Sequence, residues 1–162
     1  MLDLRNMKED EFPAYVDYFV ADYGIEIKAN YGKTLEQALD TARNEIRNDL
    51  PDGVRTKGNF LVCIELVKEG RRSVIGYLWY AHSGEETSAF IYDFYIFPEF
   101  RHEGYAGKSI SMLEESLAAS GIKEIRLRVA YSNDIALALY KKAGFMTTGI
   151  NMAKNIGKDR QG

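Results

Sequence analysis

The sequence predicts an α+β (mixed α/β) fold: a mixed, mostly antiparallel sheet with a central parallel pair and flanking helices. Three observations predict it. Two segments of helical period occupy most of residues 8–50, and three runs of β-rich composition follow between residues 60 and 97. The last of these runs connects through a single helix to a strand at 124–129, which makes that pair parallel with a right-handed crossover. At 162 residues, 46% hydrophobic and 28% charged, the chain has the size and composition of one folded domain, 1–162.

Residues 2–6 form a short first strand. Phe12, Tyr15, Val16, Phe19 and Tyr23 recur at helical spacing, which predicts an amphipathic helix over 8–23 with Pro13 tolerated in its first turn. A loop is expected from Tyr23-Gly24 to Gly32-Lys33. Thr34 caps a second helix whose stripe is Leu35, Leu39, Ala42, Ile46 and Leu50, and Pro51-Asp52-Gly53 stops it. Runs at 60–67 and 73–81 flank the polar turn Lys68-Glu69-Gly70-Arg71 and read as an antiparallel hairpin. Ser83-Gly84-Glu85-Glu86 turns the chain into a strand at 88–97. A helix over 104–119 has its inner face at Ile110, Leu113 and Leu117 and ends at Gly121. A strand at 124–129, a helix at 133–142 closed by Gly144, and a last strand at 145–156 complete the order β-α-α-β-β-β-α-β-α-β.

The net charge of −3 argues against a general nucleic-acid binder. Residues 1–54 hold 12 acids against 6 bases, leaving 12 and 15 in the remainder. That asymmetry suits a cationic substrate meeting an anionic cofactor, and it equally suits scattered solvated charge. The single cysteine, Cys63, excludes an internal disulfide; within Phe60-Leu61-Val62-Cys63-Ile64 it reads as a small buried thiol. The start lacks a signal-peptide core, and no apolar run approaches the ~18–20 residues that span a bilayer. The expectation is a cytoplasmic protein without a membrane partner.

Chemistry concentrates in three places. Phe90-Ile91-Tyr92-Asp93-Phe94-Tyr95-Ile96-Phe97 breaks at Pro98 and leads through Arg101-His102-Glu103-Gly104-Tyr105-Ala106 into a helix. A strand, a glycine turn and a helix N-terminus make a cradle for phosphate, and in such units ligands bind beyond the carboxyl ends of the parallel strands. Gly104 tolerates φ > 0 and Ala106 adds little bulk, so backbone approaches the ligand closely. A plain β–α turn is the structural alternative. Gly107-Lys108-Ser109 resembles the end of a P-loop, but the required glycine five residues earlier is His102, so that match fails. Asp93 is the second place. It interrupts a strand that is apolar on both faces, Tyr92, Phe94 and Ile96 on one and Ile91, Tyr95 and Phe97 on the other. A carboxylate there is a base, an amine anchor or a hydrogen-bonded structural acid. The third is Asn133, Ala136 and Tyr140 along one helix face, then Gly144-Phe145; piece by piece these also read as N-cap, amphipathic residue and C-terminal cap. His82 and His102 lack metal-ligand company, so no metal site is expected.

Combined in this order, the first and third motifs resemble the GNAT superfamily of acyl-CoA-dependent N-acetyltransferases, small bacterial members in particular. Arg101, Gly104 and Ala106 match its Arg/Gln-x-x-Gly-x-Gly/Ala signature, and Asn133, Ala136, Tyr140, Gly144 and Phe145 match the later block. The element order extends the likeness over essentially the whole chain. The resemblance implies a GNAT-like acyl-CoA N-acyltransferase fold and acetyl-CoA as co-substrate. The N–H groups of His102, Glu103, Gly104, Tyr105 and Ala106 would hold its pyrophosphate, with Arg101 at the start of the turn. Backbone groups of Phe94 and Ile96 would pair with the pantetheine arm as an added strand, commonly beside a bulge. Asn133 would bond the same arm, and Tyr140 would protonate the departing thiolate. A thiolate of pKa about 8.5 is a fair leaving group, so a phenol of pKa about 10 need only assist, a contribution of roughly 10²–10⁴ in rate. Asp93 would accept the proton of the acceptor amine, or orient that amine. Only 17 residues follow Phe145, whereas many members end with two further strands. Residues 157–162 read as a frayed end. Either the acceptor cleft is open, suiting a peptide or a large amine, or a second copy in a homodimer completes it; the loop at 24–33 is the candidate for specificity. The alternative from another class is a non-catalytic acyl-CoA-binding or regulatory domain on the same fold.

Overall fold

The computed structural model describes residues 1–157; residues 158–162, most of the expected frayed end, lie outside the described residues. The chain divides into two compact units, Met1–Arg128 and Val129–Gly162. Among the described residues of the first, five strands form one sheet: β1 (Leu2–Asn6), β2 (Asn59–Lys68), β3 (Arg71–Ala81), β4 (Ser88–Ile96) and β5 (Glu124–Leu127), side by side in chain order. Neighbours from β1 to β4 run antiparallel, and β4 pairs with β5 in parallel. The β2–β3 turn has Glu69 and Gly70 at φ 52° and 76°, the doubly left-handed pair that a two-residue hairpin needs.

Helices cover both faces of the sheet. α1 (Phe12–Tyr31) and α2 (Leu35–Asp49) enclose one core with Leu61, Cys63 and Trp79, centred on the fully buried Tyr15, Ala38 and Ala42. α3 (Tyr105–Ala119) lays Leu113 and Leu117 against Ile64, Ile75, Leu78, Ile91 and Ile96 on the other face. Buried leucines of this kind contribute about 2–5 kcal/mol each when measured by truncation to alanine. Thr34 caps α2 by accepting from the Gln37 N–H at 3.2 Å, and the Gln37 side chain accepts from the Thr34 N–H at 3.1 Å. The buried stripe of α2 is Ala38, Ala42 and Ile46, whereas Leu35 is exposed.

Two expectations change here. The loop foreseen at 24–33 is helix: α1 continues to Tyr31 and ends at Gly32, whose φ of 63° is a left-handed cap. Gly24 is buried inside it, and a Cβ there would meet Leu39 Cδ2 at 2.8 Å. The glycine therefore leaves room for the Leu39 side chain of α2 against α1, despite its poor helix propensity. A specificity loop at 24–33 is withdrawn accordingly. The second change is in β4, whose register against β3 slips between Trp79 and Tyr80, leaving Tyr92 as an extra residue. Across this bulge Ile91 joins Phe94 and Ile96 on the α3 face, and Tyr92 stacks on Trp79 on the α1 face.

The second unit holds α4 (Asp134–Lys142). Asn133 caps it by accepting from the Ala136 N–H at 3.2 Å. At its other end Gly144 (φ 100°) donates to Lys141 O at 3.1 Å and Phe145 donates to Tyr140 O at 2.9 Å. Those two bonds, with Phe145 packed on Tyr140 at 5.6 Å between ring centroids, form a Schellman cap. The strand expected at 145–156 is not formed. Gly149, Asn151 and Asn155 weaken its β pattern, and it finds no ladder partner among the described residues.

Candidate active site

The site in the first unit is built on the far half of β4. β4 pairs with β5 only from Ser88 to Ile91, so beyond Ile91 its outer edge has no ladder partner among the described residues. Phe94 and Ile96, the expected pantetheine contacts, lie on that open edge, paired on the inner side with Leu78 and Gly76. An open edge of this length is a template for an extended ligand. Gly76 is indispensable to the geometry, because a Cβ there would stand 2.2 Å from Tyr95 O.

After Ile96 the chain makes a single 3-10 turn, Pro98–Phe100, and enters the turn at 101–106. His102 and Gly104 take left-handed φ values of 67° and 82°, a conformation that bends successive amides toward one side. Gly104 is the N-cap of α3 and offers no side chain. The first helical bond is the one Lys108 donates to Gly104 O at 3.2 Å, so the amides of Tyr105, Ala106 and Gly107 precede it and face outward at the positive end of the helix. Arg101, expected beside a phosphate, instead turns toward the sheet: Nε donates to Ile96 O at 2.8 Å and its guanidinium lies over the Tyr95 ring at 5.0 Å. Glu103 is exposed.

Asp93 sits next to the bulge and faces α1. Tyr15 donates to its Oδ2 at 2.8 Å and Tyr18 to its Oδ1 at 3.1 Å. The residue as a whole is half-buried, but the carboxylate is enclosed by these phenols, and burial pushes it up to about 7. The phenols and the Phe94 N–H pull the other way, and Asp22 adds to the rise. Tyr18, Asp22 and Glu26 recur every fourth residue on one face of α1. Burial raises Asp22 and Glu26 as well, with Arg101 opposing it at Asp22 and Arg128 at Glu26. None of these α1 partners is singled out by the sequence, where Tyr15 is a core position. A surface cleft of about 580 Å³ between α1 and α2, lined by Val16, Val20, Leu39 and Ile46, contains neither Asp93 nor the turn.

In the second unit, Asn133 and Tyr140 occupy the two ends of α4, Asn133 engaged in its cap and Tyr140 half-buried beside Phe145.

An open strand edge leading into an amide-lined helix N-terminus suits a ligand with an extended arm and a phosphate end, as the resemblance to the acyl-CoA-dependent acetyltransferases implies. The profile of the acetyltransferase (GNAT) family matches residues 13–145, and the chain belongs to that family. Acetyl-CoA is accordingly its acetyl donor. YycN and YdgE of Bacillus subtilis, both described as uncharacterised N-acetyltransferases, are each 30% identical to it, over 94% of this chain and 97% of theirs. The crystal structure of YycN matches with a TM-score of 0.86 at 29% identity, over 98% of this chain and 100% of that one. PaiA N-acetyltransferase of Thermoplasma acidophilum, solved in complex with coenzyme A, shares the fold at a TM-score of 0.70 and 15% identity over 93% of each chain. Among the described residues no helix is long and apolar enough to cross a membrane.

Proposed function

We propose that this chain moves an acetyl group from acetyl-CoA directly to a primary amine within a ternary complex, working as one N-acetyltransferase domain. The observation that carries the reading is Asp93: a carboxylate raised to about 7, beside the bulge of a strand whose edge is open. An acceptor amine arrives mostly as ammonium, and a base titrating near neutral pH is matched to removing its proton. Asp22 and Glu26, one and two turns along α1 from Tyr18, supply negative charge that favours a cationic acceptor.

When bound, acetyl-CoA supplies the activated thioester. The open edge at Phe94 and Ile96 suits its extended arm, and the amides of His102, Glu103, Gly104, Tyr105 and Ala106 suit its pyrophosphate. Arg101 acts here by fixing the end of β4 rather than as the principal phosphate contact. Asn133 bonds the arm through whatever hydrogen-bonding capacity its cap leaves, and Tyr140 gives its proton to the departing thiolate.

Calorimetry with acetyl-CoA, CoA and ATP, followed by turnover on a panel of amines, tests the reading. Micromolar binding of acetyl-CoA without ATP binding, and acetylation of at least one amine, is expected. In Tyr140→Phe, kcat at saturating acceptor should fall by about 10²-fold or more. Acetyl-CoA binding without turnover on any amine would favour a binding or regulatory domain, and an unchanged kcat in the variant would remove Tyr140 from the acid role.

A further inference from the structure

The carboxylate of Asp93 is held by two phenols that the packing of the core does not require. Tyr15 is fully buried against Phe19 and Tyr77, its ring edge-on to Tyr77 at 5.0 Å, a setting that a phenylalanine would fill equally well. Tyr18 is half-buried, and its ring packs on Tyr95 at 4.4 Å. Tyr95 in turn lies under Arg101, the first residue of the cofactor turn. Each hydroxyl reaches a different oxygen of the same carboxylate, at 2.8 Å and 3.1 Å. Burying two hydroxyls and an acid together is costly unless each satisfies another, and an apolar trio would serve stability better.

We propose that Tyr15 and Tyr18 are positioning residues for proton transfer, each donating to a different oxygen of Asp93 and so clamping its carboxylate in one orientation beside the bulge of β4. This rests on the reading of Asp93 as the proton acceptor. Both phenols are held well above their ordinary range by burial, then by the Asp93 charge, so they stay donors at working pH. The groups facing the carboxylate are Tyr15, Tyr18 and Asp22 from α1 and the Phe94 N–H from β4. Tyr77 of β3 and Tyr95 of β4 lie behind the phenols, and Arg101 acts on Asp22. Of these, the two hydroxyls and the Phe94 N–H oppose the effect of burial, and only the hydroxyls can be deleted without touching the backbone. The clamp also links base to cofactor, since Tyr18, Tyr95 and Arg101 form one stack that ends at the turn.

The test is Tyr18→Phe, which keeps the ring contact with Tyr95. Two readouts apply: carbon NMR titration of the Asp93 carboxyl in protein labelled at aspartate, identified by comparison with Asp93→Asn, and the pH dependence of kcat/KM. Loss of one hydrogen bond to a carboxylate should raise its titration by about one pH unit. The acidic limb of the rate profile should move with it, so activity falls roughly five-fold at pH 7 and stays within about two-fold of wild type at pH 9. Tyr15→Phe should move the titration in the same direction, which keeps the test open should Tyr18→Phe fold poorly. An unmoved Asp93 titration in both variants would overturn the clamp. A titration that rises while the rate profile stays put would show that the bonds exist but Asp93 is not the base, overturning the positioning role by way of the underlying reading.

Discussion

Asp93→Asn should make this protein more resistant to unfolding at pH 8 than at pH 5, relative to wild type. The carboxylate stands at about 7 in the folded chain against an ordinary 3.8, so folding favours its neutral form. The sign follows directly: between those values the unfolded chain has released a proton that the folded chain keeps, and stability falls as pH rises, levelling off above about 7. Fully ionised, such a group costs about 4 kcal/mol; at pH 5 the cost is about 1.5 kcal/mol, leaving a difference of about 2.5 kcal/mol between pH 5 and pH 8. The residue is only half-buried, which makes about 2 kcal/mol a fairer expectation. Asparagine carries no charge at either pH and keeps the shape, its oxygen accepting from one phenol and its amide donating to the other. Asp22 and Glu26 are raised too, but they are present in both proteins and largely cancel in the comparison. Urea unfolding of both proteins at pH 5 and pH 8 measures the effect as a difference of differences. Equal stability differences at the two pH values would refute the argument, because they would mean that Asp93 is ionised at both and bears no burial penalty.

Further outcomes follow from other positions. Gly76→Ala should cost at least about 3 kcal/mol in urea unfolding, because its Cβ would meet the backbone of Tyr95 at 2.2 Å and can be relieved only by parting β3 from β4; a loss under about 1 kcal/mol would mean the strands yield easily. Gly104→Ala meets no neighbour but is held at φ 82°, so about 1–2 kcal/mol of backbone strain is expected together with weaker acetyl-CoA binding by calorimetry. Glu11, accepting from the two terminal nitrogens of Arg5 at 2.8 Å and 3.0 Å, is pulled down to about 2. Its stabilisation is fully present above about 4.5 and is lost as pH falls through about 2, so Glu11→Gln should cost about 1–2 kcal/mol at pH 7 and only a small fraction of that by pH 2, read by thermal unfolding across pH.

Periodicity carried most of the fold because each buried face writes its own spacing into the chain. The stripe Tyr15, Phe19 and Tyr23 announces α1, and the continuous apolar run Phe60 to Ile64, buried on both faces, announces β2. What stayed hidden depends on partners distant in sequence. Gly24 reads as a helix end because propensity is local, whereas its purpose is the approach of Leu39 from the next helix. A bulge in this strand was implied by the family resemblance, but its place at Tyr92 leaves no mark in composition; β3 and β4 differ there by one residue in length between two fixed pairings. The turn at 101–106 was legible as a turn through Gly104 and the helix after it. The environment of Asp93 was not, since Tyr15 and Tyr18 lie 78 and 75 residues away and only the folded sheet brings them to one carboxylate. Residues 145–156 failed in the opposite direction: apolar residues suggested a strand, but a strand exists only with a neighbour to pair with.

The costs concentrated in β4 set it apart from the other strands of the sheet. Within nine residues the strand carries an unpaired bulge residue, a carboxylate that burial penalises and an outer edge that, among the described residues, is left open over half its length. Each could have been removed by an ordinary substitution or a longer β5, and any of those changes would favour stability. Their concentration is explained if one ligand uses all three, an extended chain pairing along the edge while a nucleophile meets the carboxylate beside the bulge. A purely structural account would need three separate reasons for three adjacent defects. Arg101 ties these features to the turn at 101–106: anchored on Ile96 O and stacked on Tyr95, it joins the end of the strand to that turn, so under the proposed function seating the cofactor and aiming the base would be one mechanical arrangement.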